Sequence, residues 1–332
     1  MSTIQPRHML PVDMQLANEY QYNRKHIDGY LRAAIAENPE TEAKVHQGVA
    51  LLQDWLSQEY YDSKNARLAQ VKTLDLEELV REIFVGICYC QVETLFTSIT
   101  AQLAGRLKFS EKIDGIQTIA EMLAVLCQTD AFDINKLSQN SSLMVLSQIP
   151  LSDQLRVFVD NTAFLPPMVC EPRTLTHNYQ SGYLTHDDSV ILGSGNHHDG
   201  DVCLDVLNIQ NSVRLTLDKD FLLNVEEQPT FDLEVVKNAT NKDGSRKTKQ
   251  QQLDEIRRVK DQWHAFKGQS SRFYLMLYKQ GNRFWLTHKV DKRGRIYSVG
   301  YHITTQGTSF KKAMIEFADA EVVSGVPDFA KR

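Results

Sequence analysis

Asp291-Lys292-Arg293-Gly294-Arg295-Ile296-Tyr297 sets an acid, three cations and a glycine against a short run of β-forming residues. If the stretch is extended, Asp291, Arg293, Arg295 and Tyr297 share one face, because successive side chains of a strand alternate. Such a face would lay two guanidinium forks and an aromatic ring along a nucleic-acid backbone. Asp291 would hold one fork in place and Gly294 would let the phosphates come close. The same residues also read as a charged surface turn followed by an edge strand, and spacing alone does not separate the two.

Charge around this stretch favours a polyanion. Residues 241 to 320 hold 17 Lys and Arg against 7 Asp and Glu, whereas residues 1 to 150 hold 13 against 19, so the overall net charge of -5 hides a basic C-terminal segment. A basic segment attracts nucleic acid, although a lysine-rich face is also an ordinary solvated surface.

Immediately upstream, Arg272-Phe-Tyr-Leu-Met-Leu-Tyr278 and Arg283-Phe-Trp-Leu286 supply apolar packing. Before them, Leu253, Ile256, Val259, Trp263 and Phe266 recur on one helical stripe, with Arg257, Arg258, Lys260 and Lys267 on the remainder. An ordinary amphipathic helix with solvated cations has the same pattern. Residues 237 to 252 are polar and turn-rich and read as a mobile connection.

The N-terminal part reads as helical, with apolar residues at three- and four-residue intervals over Ala43 to Tyr60 and Leu74 to Ile87. Asp75, Glu77 and Glu78 fall in the first turn of the second of these, favourable to the helix dipole. Val92 to Ala104 is amphipathic but rich in β-branched residues, and 109 to 150 read as further short helices ending near Pro150. From about residue 160 the texture changes, with Pro166-Pro167, Pro172, His186-Asp-Asp-Ser189 and Gly193 to Gly200 marking loops. His197, His198, Asp199 and Asp201 lack the spacing of a second ligand cluster, so a surface loop is the expectation there.

A chain of 332 residues, 42% of them apolar, has enough material for two or more domains. No apolar run approaches a membrane span and the first residues lack the apolar core of a signal peptide, so a soluble intracellular protein is expected. Five cysteines without paired Cys-x-x-Cys spacing argue against a disulfide framework or a zinc site, and Cys88 and Cys90 read as buried apolar residues.

Downstream of the opening stretch, Tyr297-Ser-Val-Gly-Tyr-His302 leads to Gln306-Gly307 and Lys311-Lys312-Ala-Met-Ile-Glu-Phe-Ala318. This segment resembles the single-subunit RNA polymerases of bacteriophages and mitochondria. There an Asp-x-Arg-Gly-Arg-x-Tyr element can be followed by a His at the interval of His302, a Gly like Gly307, and a helix that Met314 to Ala318 fits. Two further matches lie upstream in the same order. Leu165-Pro-Pro-Met-Val-Cys-Glu-Pro-Arg173 with Ser181-Gly-Tyr-Leu184 looks like the family's Pro-Met-Val-x-Pro-Pro-x-x-Trp and Gly-Gly-Tyr. Here Glu171 replaces a proline, Leu175 the tryptophan and Ser181 a glycine. Leu207-Asn-Ile-Gln-Asn-Ser-Val-Arg-Leu215 looks like Asn-x-x-Gln-x-Thr-x-Trp-x-Ile-Asn, with Ser212 for the threonine, Arg214 for the tryptophan and Asn208 one position late. The resemblance covers roughly residues 160 to 325.

The resemblance implies a mainly α N-terminal domain followed by α+β structure: a helical domain over 1–157, a junction to the polymerase core over 158–236, a thumb-like basic helical region over 237–285, and the start of a right-hand palm over 286–332. It implies nucleic-acid contacts from Lys292, Arg293, Arg295, Tyr297, Lys311, Lys312, Arg257, Arg258 and Lys260, with Asp291, Gly294 and His302 in support. Nucleotidyl transfer needs carboxylates holding two metal ions. In the family these lie well downstream, and after Asp291 the acids here are Glu316, Asp319, Glu321 and Asp328, none in the family's Asp-Gly context. The implied protein is the smaller subunit of a split podophage RNA polymerase, or a truncated fragment of such an enzyme, and inactive alone. The ending Gly325 to Arg332 reads as a finished tail and favours the split enzyme. A larger partner would supply the Mg²⁺-binding aspartates, and DNA template, RNA product and nucleoside triphosphates would meet in the assembly. No membrane is involved, and the setting is the cytoplasm of an infected bacterial host. The rival expectation is a non-enzymatic nucleic-acid-binding or regulatory protein derived from a polymerase.

Overall fold

A computed structural model of the chain describes residues 10–105, 111–136, 142–162, 164–193, 195–225, 240–241, 244–319 and 324–325. The chain divides into two compact units, Tyr20–Ala163 and a second made of Met1–Glu19 with Phe164–Arg332. It is helix-rich with small antiparallel sheets.

The first unit follows the N-terminal periodicity. After α1 (Pro11–Tyr22), which begins in the other unit, come α2 (Arg24–Glu37), α3 (Pro39–Ser57), α4 (Asp62–Val71) and α5 (Leu76–Ile87). Asn38 caps α3 by accepting from the backbone N–H groups of Glu40 and Thr41, and Pro39 at the first helical position needs no partner for its nitrogen. Asp75 caps α5 in the same way, leaving Glu77 and Glu78 in its first turn. Ile27, Leu31, Val45, Leu52, Val80, Ile83, Phe84 and Ile87 fill the core, and Cys88 and Cys90 are buried within it as free thiols.

Val92 to Ala104 divides between a two-residue strand β1 (Thr94–Leu95) and helix α6 (Phe96–Ala104). Among the described residues, the expectation of short helices over 109–150 holds for α7 (Lys112–Leu126) and the 3-10 turn Cys127–Thr129 that continues it. Beyond it β2 (Phe132–Lys136) and β3 (Leu143–Ser147) pair antiparallel, Ile134 opposite Val145, and β1 joins the other edge of β3. A short apolar run such as Leu143-Met-Val-Leu has no period that separates buried strand from buried helix, and cross-strand pairing decides. Helix α8 (Asp153–Asn161), capped by Ser152, follows Pro150.

The second unit gathers the remaining elements: α9 (Leu204–Asn211), β4 (Leu215–Leu217), α10 (Lys219–Asn224), α11 (Lys249–Lys279), β5 (His288–Val290), β6 (Ile296–Ser298), α12 (Ser309–Ala313) and β7 (Ile315–Phe317). Here the expectation of a helix over Met314 to Ala318 is overturned. Helix α12 stops at Met314, and Ile315-Glu-Phe317 pairs antiparallel with Leu215-Thr-Leu217. A β-branched and an aromatic residue flanking one acid suit a half-covered strand, and a partner strand was waiting. Bridges between Leu215 and Phe284 and between Met168 and Trp285 extend this pairing, so segments from near 168, 215, 285 and 316 lie side by side. The turn-rich stretch 237–252 gives way to helix earlier than expected. Thr248 and Gln251 form a reciprocal capping box that starts α11 at Lys249, while 237–239, 242–243 and most of the Gly325 to Arg332 tail lie outside the described residues.

Glu19, fully buried near the end of α1, anchors the Ser181 to Leu184 segment from across the sequence. It accepts hydrogen bonds from the backbone N–H groups of Leu184 (2.8 Å) and Thr185 (2.7 Å), from the Thr185 hydroxyl (2.6 Å) and from Gln15 (2.7 Å). A buried carboxylate is tolerated only with its lone pairs satisfied, and these four donors satisfy them. Gly182 is buried tightly enough that an added Cβ would lie 2.6 Å from Thr287 Cγ2.

Candidate nucleic-acid interface

Asp291 to Arg295 is the turn of the β5–β6 hairpin, not an extended strand. The Asp291 N–H donates to the Arg295 carbonyl and the Gly294 N–H to the Asp291 carbonyl, closing a three-residue loop between strands that pair Val290 with Ile296. Gly294 has φ +77° with open space around it, so the left-handed backbone of the turn is what asks for glycine here. The alternating-face expectation fails for Asp291 to Arg295 for that reason.

The turn nevertheless brings the same four side chains together. Asp291 Oδ1 accepts the backbone N–H groups of Arg293 (2.9 Å) and Arg295 (3.0 Å). Its Oδ2 accepts Nε and Nη2 of Arg293 (3.2 and 3.1 Å), Nε and Nη2 of Arg295 (both 2.8 Å) and the Tyr297 hydroxyl (3.4 Å). Desolvation works to raise the Asp291 pKa, but the Arg295 backbone N–H and guanidinium outweigh it and hold the carboxyl below its usual range. Two of the five donors on each guanidinium face Asp291, and the side chains of Arg293 and Arg295 stay 68% and 53% exposed, with Lys292 exposed beside them. The hairpin tip is a preset, solvent-facing cationic fork.

The loop after β6 folds back on the hairpin. Gln306 donates to the Ile296 carbonyl (2.8 Å) and accepts from the Ser298 N–H (3.2 Å), and the Ser298 and Thr304 hydroxyls meet at 2.6 Å. His302 is buried in this loop with Nδ1 2.7 Å from Ser270 Oγ of α11, its ring stacked on Phe266 (5.5 Å) and Phe273 (4.9 Å). Burial, with the Lys311 ammonium adding to it, lowers its pKa to about 4, so His302 is a neutral structural pin between loop and helix. Burial also lowers the pKa of His288 in β5 to about 4, and its Nδ1–H donates to Asn211 Oδ1 at 2.9 Å.

Lys311 and Lys312 sit on α12. Lys312 is exposed, whereas the Lys311 ammonium lies over the rings of Tyr301 (4.0 Å) and Phe266 (4.8 Å), where burial lowers its pKa. Phe164, Phe221, Trp263, Phe266, Tyr301 and Phe310 form a connected ring cluster around it, which the sequence reading did not single out. Its trace in the sequence is the Trp263, Phe266, Phe273 spacing on one helix face.

Arg257, Arg258 and Lys260 are exposed on α11, and Arg258 pairs with Glu255 one turn away. They stand about 20–24 Å along the helix axis from Phe273, given 1.5 Å of rise per residue, and so form a separate basic patch. Of the expected apolar stripe, Leu253 is exposed, while Ile256, Val259, Trp263 and Phe266 are half-buried. The helix is buried only at Ser270, Phe273 and Leu277.

A Mg²⁺ centre needs carboxylate oxygens free to face the ion. Asp291 gives both oxygens to its arginines. Among the described residues, three potential ligand atoms lie within 4.8 Å of one another only at Glu42, His46 and Glu77, and Arg81 pairs with both of those carboxylates. Glu321 and Asp328 lie outside the described residues. In the Gly193 to Gly200 loop, His197 contacts Ser189 (3.0 Å) and Asp199 (3.4 Å). No described helix is long and apolar enough to cross a membrane.

In comparison with known proteins, the sequence matches no protein-family model and no curated protein.

Proposed function

We propose that the chain is a subunit of a split phage DNA-directed RNA polymerase. In this reading it contributes the N-terminal domain, the thumb and the beginning of a right-hand palm. A larger partner supplies the metal-binding aspartates and the Mg²⁺ they hold. The observation that carries the reading is the Asp291 hairpin, where one carboxylate gathers two exposed guanidinium groups and a tyrosine at the tip of a basic segment. Such a fork suits phosphate oxygens, since guanidinium donors match their geometry and the positive field draws a polyanion in. In the assembly Arg293 and Arg295 contact the template or hybrid backbone, Tyr297 stacks or hydrogen-bonds beside them, and Arg257, Arg258 and Lys260 engage nucleic acid from the long helix. The place of action is the cytoplasm of an infected bacterial cell.

The test is RNA synthesis on single-stranded DNA with Mg²⁺ and nucleoside triphosphates, first with this chain alone and then with the product of the adjacent reading frame. Synthesis only with both chains is the expected result. Two folded chains that neither associate nor synthesise RNA would transfer the reading to a non-enzymatic nucleic-acid-binding protein.

A further inference from the structure

Tyr301 and Phe164 form a parallel ring pair at 4.1 Å and 13°, each partly exposed (41% and 38%). The Lys311 ammonium lies 4.0 Å over the Tyr301 ring. Tyr301 is thus contacted by both the Phe164 ring and the Lys311 ammonium. His302 stands nearly perpendicular to both rings, 4.9 Å from Tyr301 and 5.5 Å from Phe164. Being at similar distances from both, it flanks the stack rather than capping it. The Phe164 ring, 38% exposed, is an end of this pair that solvent reaches.

From this geometry we infer that the exposed part of the Phe164 ring is the seat for one unpaired nucleobase, so that this chain engages single-stranded nucleic acid in preference to duplex. A base in a duplex has both faces stacked and cannot take this seat without leaving its helix, whereas an unpaired base continues the ring column. Charge complementarity selects a nucleic acid as occupant over an apolar peptide. Lys311 stacks in the column, Lys312 lies exposed on the same short helix, and the loop carrying Tyr301 is bonded through Gln306 to the hairpin that presents Arg293 and Arg295. The seat has no sequence preference of its own, because every base offers a π-face.

This inference rests on the nucleic-acid reading above, and the experiment separates the two. The full-length chain is titrated, by fluorescence anisotropy, into a labelled thymidine oligonucleotide of about 12 nucleotides, within the site size of known single-strand binders. Parallel titrations use an abasic oligonucleotide with the same number of phosphates, and a duplex. The wild type is expected to bind the abasic strand about 5- to 100-fold more weakly than the thymidine strand. Phe164→Ala should lose the same factor on the thymidine strand and no longer distinguish the two, while Phe164→Trp retains the distinction. Equal thermal melting of the variants shows that they are folded. Equal wild-type affinity for thymidine and abasic strands, with binding that weakens as salt is added, overturns the seat and leaves the charge-based reading standing; the exposed ring would then belong to a protein contact. Absence of binding to any of the three overturns both.

Discussion

Replacing Gly182 by alanine tests whether the packing beneath the hairpin is as close as the structure has it. Gly182, Pro172 and Thr287 are all buried, and the new methyl would stand 2.6 Å from Thr287 Cγ2 and 3.1 Å from Pro172 Cβ. Carbon atoms settle at about 3.5–4.0 Å, so the two segments must part by about 1 Å. Neither neighbour is the far end of a flexible chain, and overpacking of this kind costs about 1–3 kcal/mol. For a unit of this size that is a fall in melting temperature of about 2–12 °C. Tryptophan fluorescence is a suitable probe, because Trp263 and Trp285 lie in this unit and only Trp55 in the other. The Thr287 carbonyl accepts the Val299 N–H at 2.7 Å, so the strain also reaches the base of the hairpin and should weaken nucleic-acid binding. Thr287→Ser removes the struck methyl, at about 0.8 kcal/mol for the lost burial, and in the double variant should restore much of the stability. Additive losses, or a Gly182→Ala chain that melts with the wild type, would refute the argument.

Three further outcomes are expected. Arg295→Ala should weaken binding to nucleic acid of any sequence, lower the salt slope by about one counterion, and reduce transcription by the reconstituted pair more than it reduces assembly; equal losses in transcription and assembly would point to a structural role. His288 and His302 are held at about 4 by burial, below their unfolded value, so the unfolded chain binds more protons. Their contribution to stability is complete above about pH 6.5 and is lost as pH falls towards about 4, and a melting temperature of the Phe164–Arg332 unit that stays flat across that window would contradict it. Burial pushes the Cys88 thiol up to about 12 and those of Cys90 and Cys170 up to about 11, so iodoacetamide at mildly alkaline pH should modify these three only on unfolding, as followed by peptide mass spectrometry.

The elements legible in the sequence are those whose signals are local. The periodicity of α3 and α5 and the acidic start of α5 lie within one stretch of chain, and they appear where they were expected, whereas α11 forms but buries Ser270, Phe273 and Leu277 instead of the Leu253 to Phe266 stripe. Strands β2, β3 and β7 depend on partners elsewhere, and runs such as Ile315-Glu-Phe317 become strands because Leu215-Thr-Leu217 lies beside them. The Asp291 cluster was half legible. The acid, the two arginines and the tyrosine do converge, but through a glycine turn instead of an alternating face, since a short charged stretch is compatible with either backbone. Glu19 was beyond reach, because the whole sequence of the first unit lies between it and its donors at Leu184 and Thr185. The ring column around Lys311 joins residues from 164 to 311 and has no one-dimensional pattern to betray it.

Helix α11 has its buried residues, Ser270, Phe273 and Leu277, in its last third, and begins with a self-contained capping box. Its fully buried residues thus sit at one end, with half-buried Ile256, Val259, Trp263 and Phe266 between them and the capped start. Arg257 stands about 24 Å along the axis from Phe273, so a tilt of about 5° at the buried end sweeps its attachment point through about 2 Å. That is comparable with the difference between a direct phosphate contact and one bridged by water. His302 joins the loop after the hairpin to this buried end, so the hairpin's cationic tip and the basic patch of the long helix are tied to one another through a single neutral imidazole.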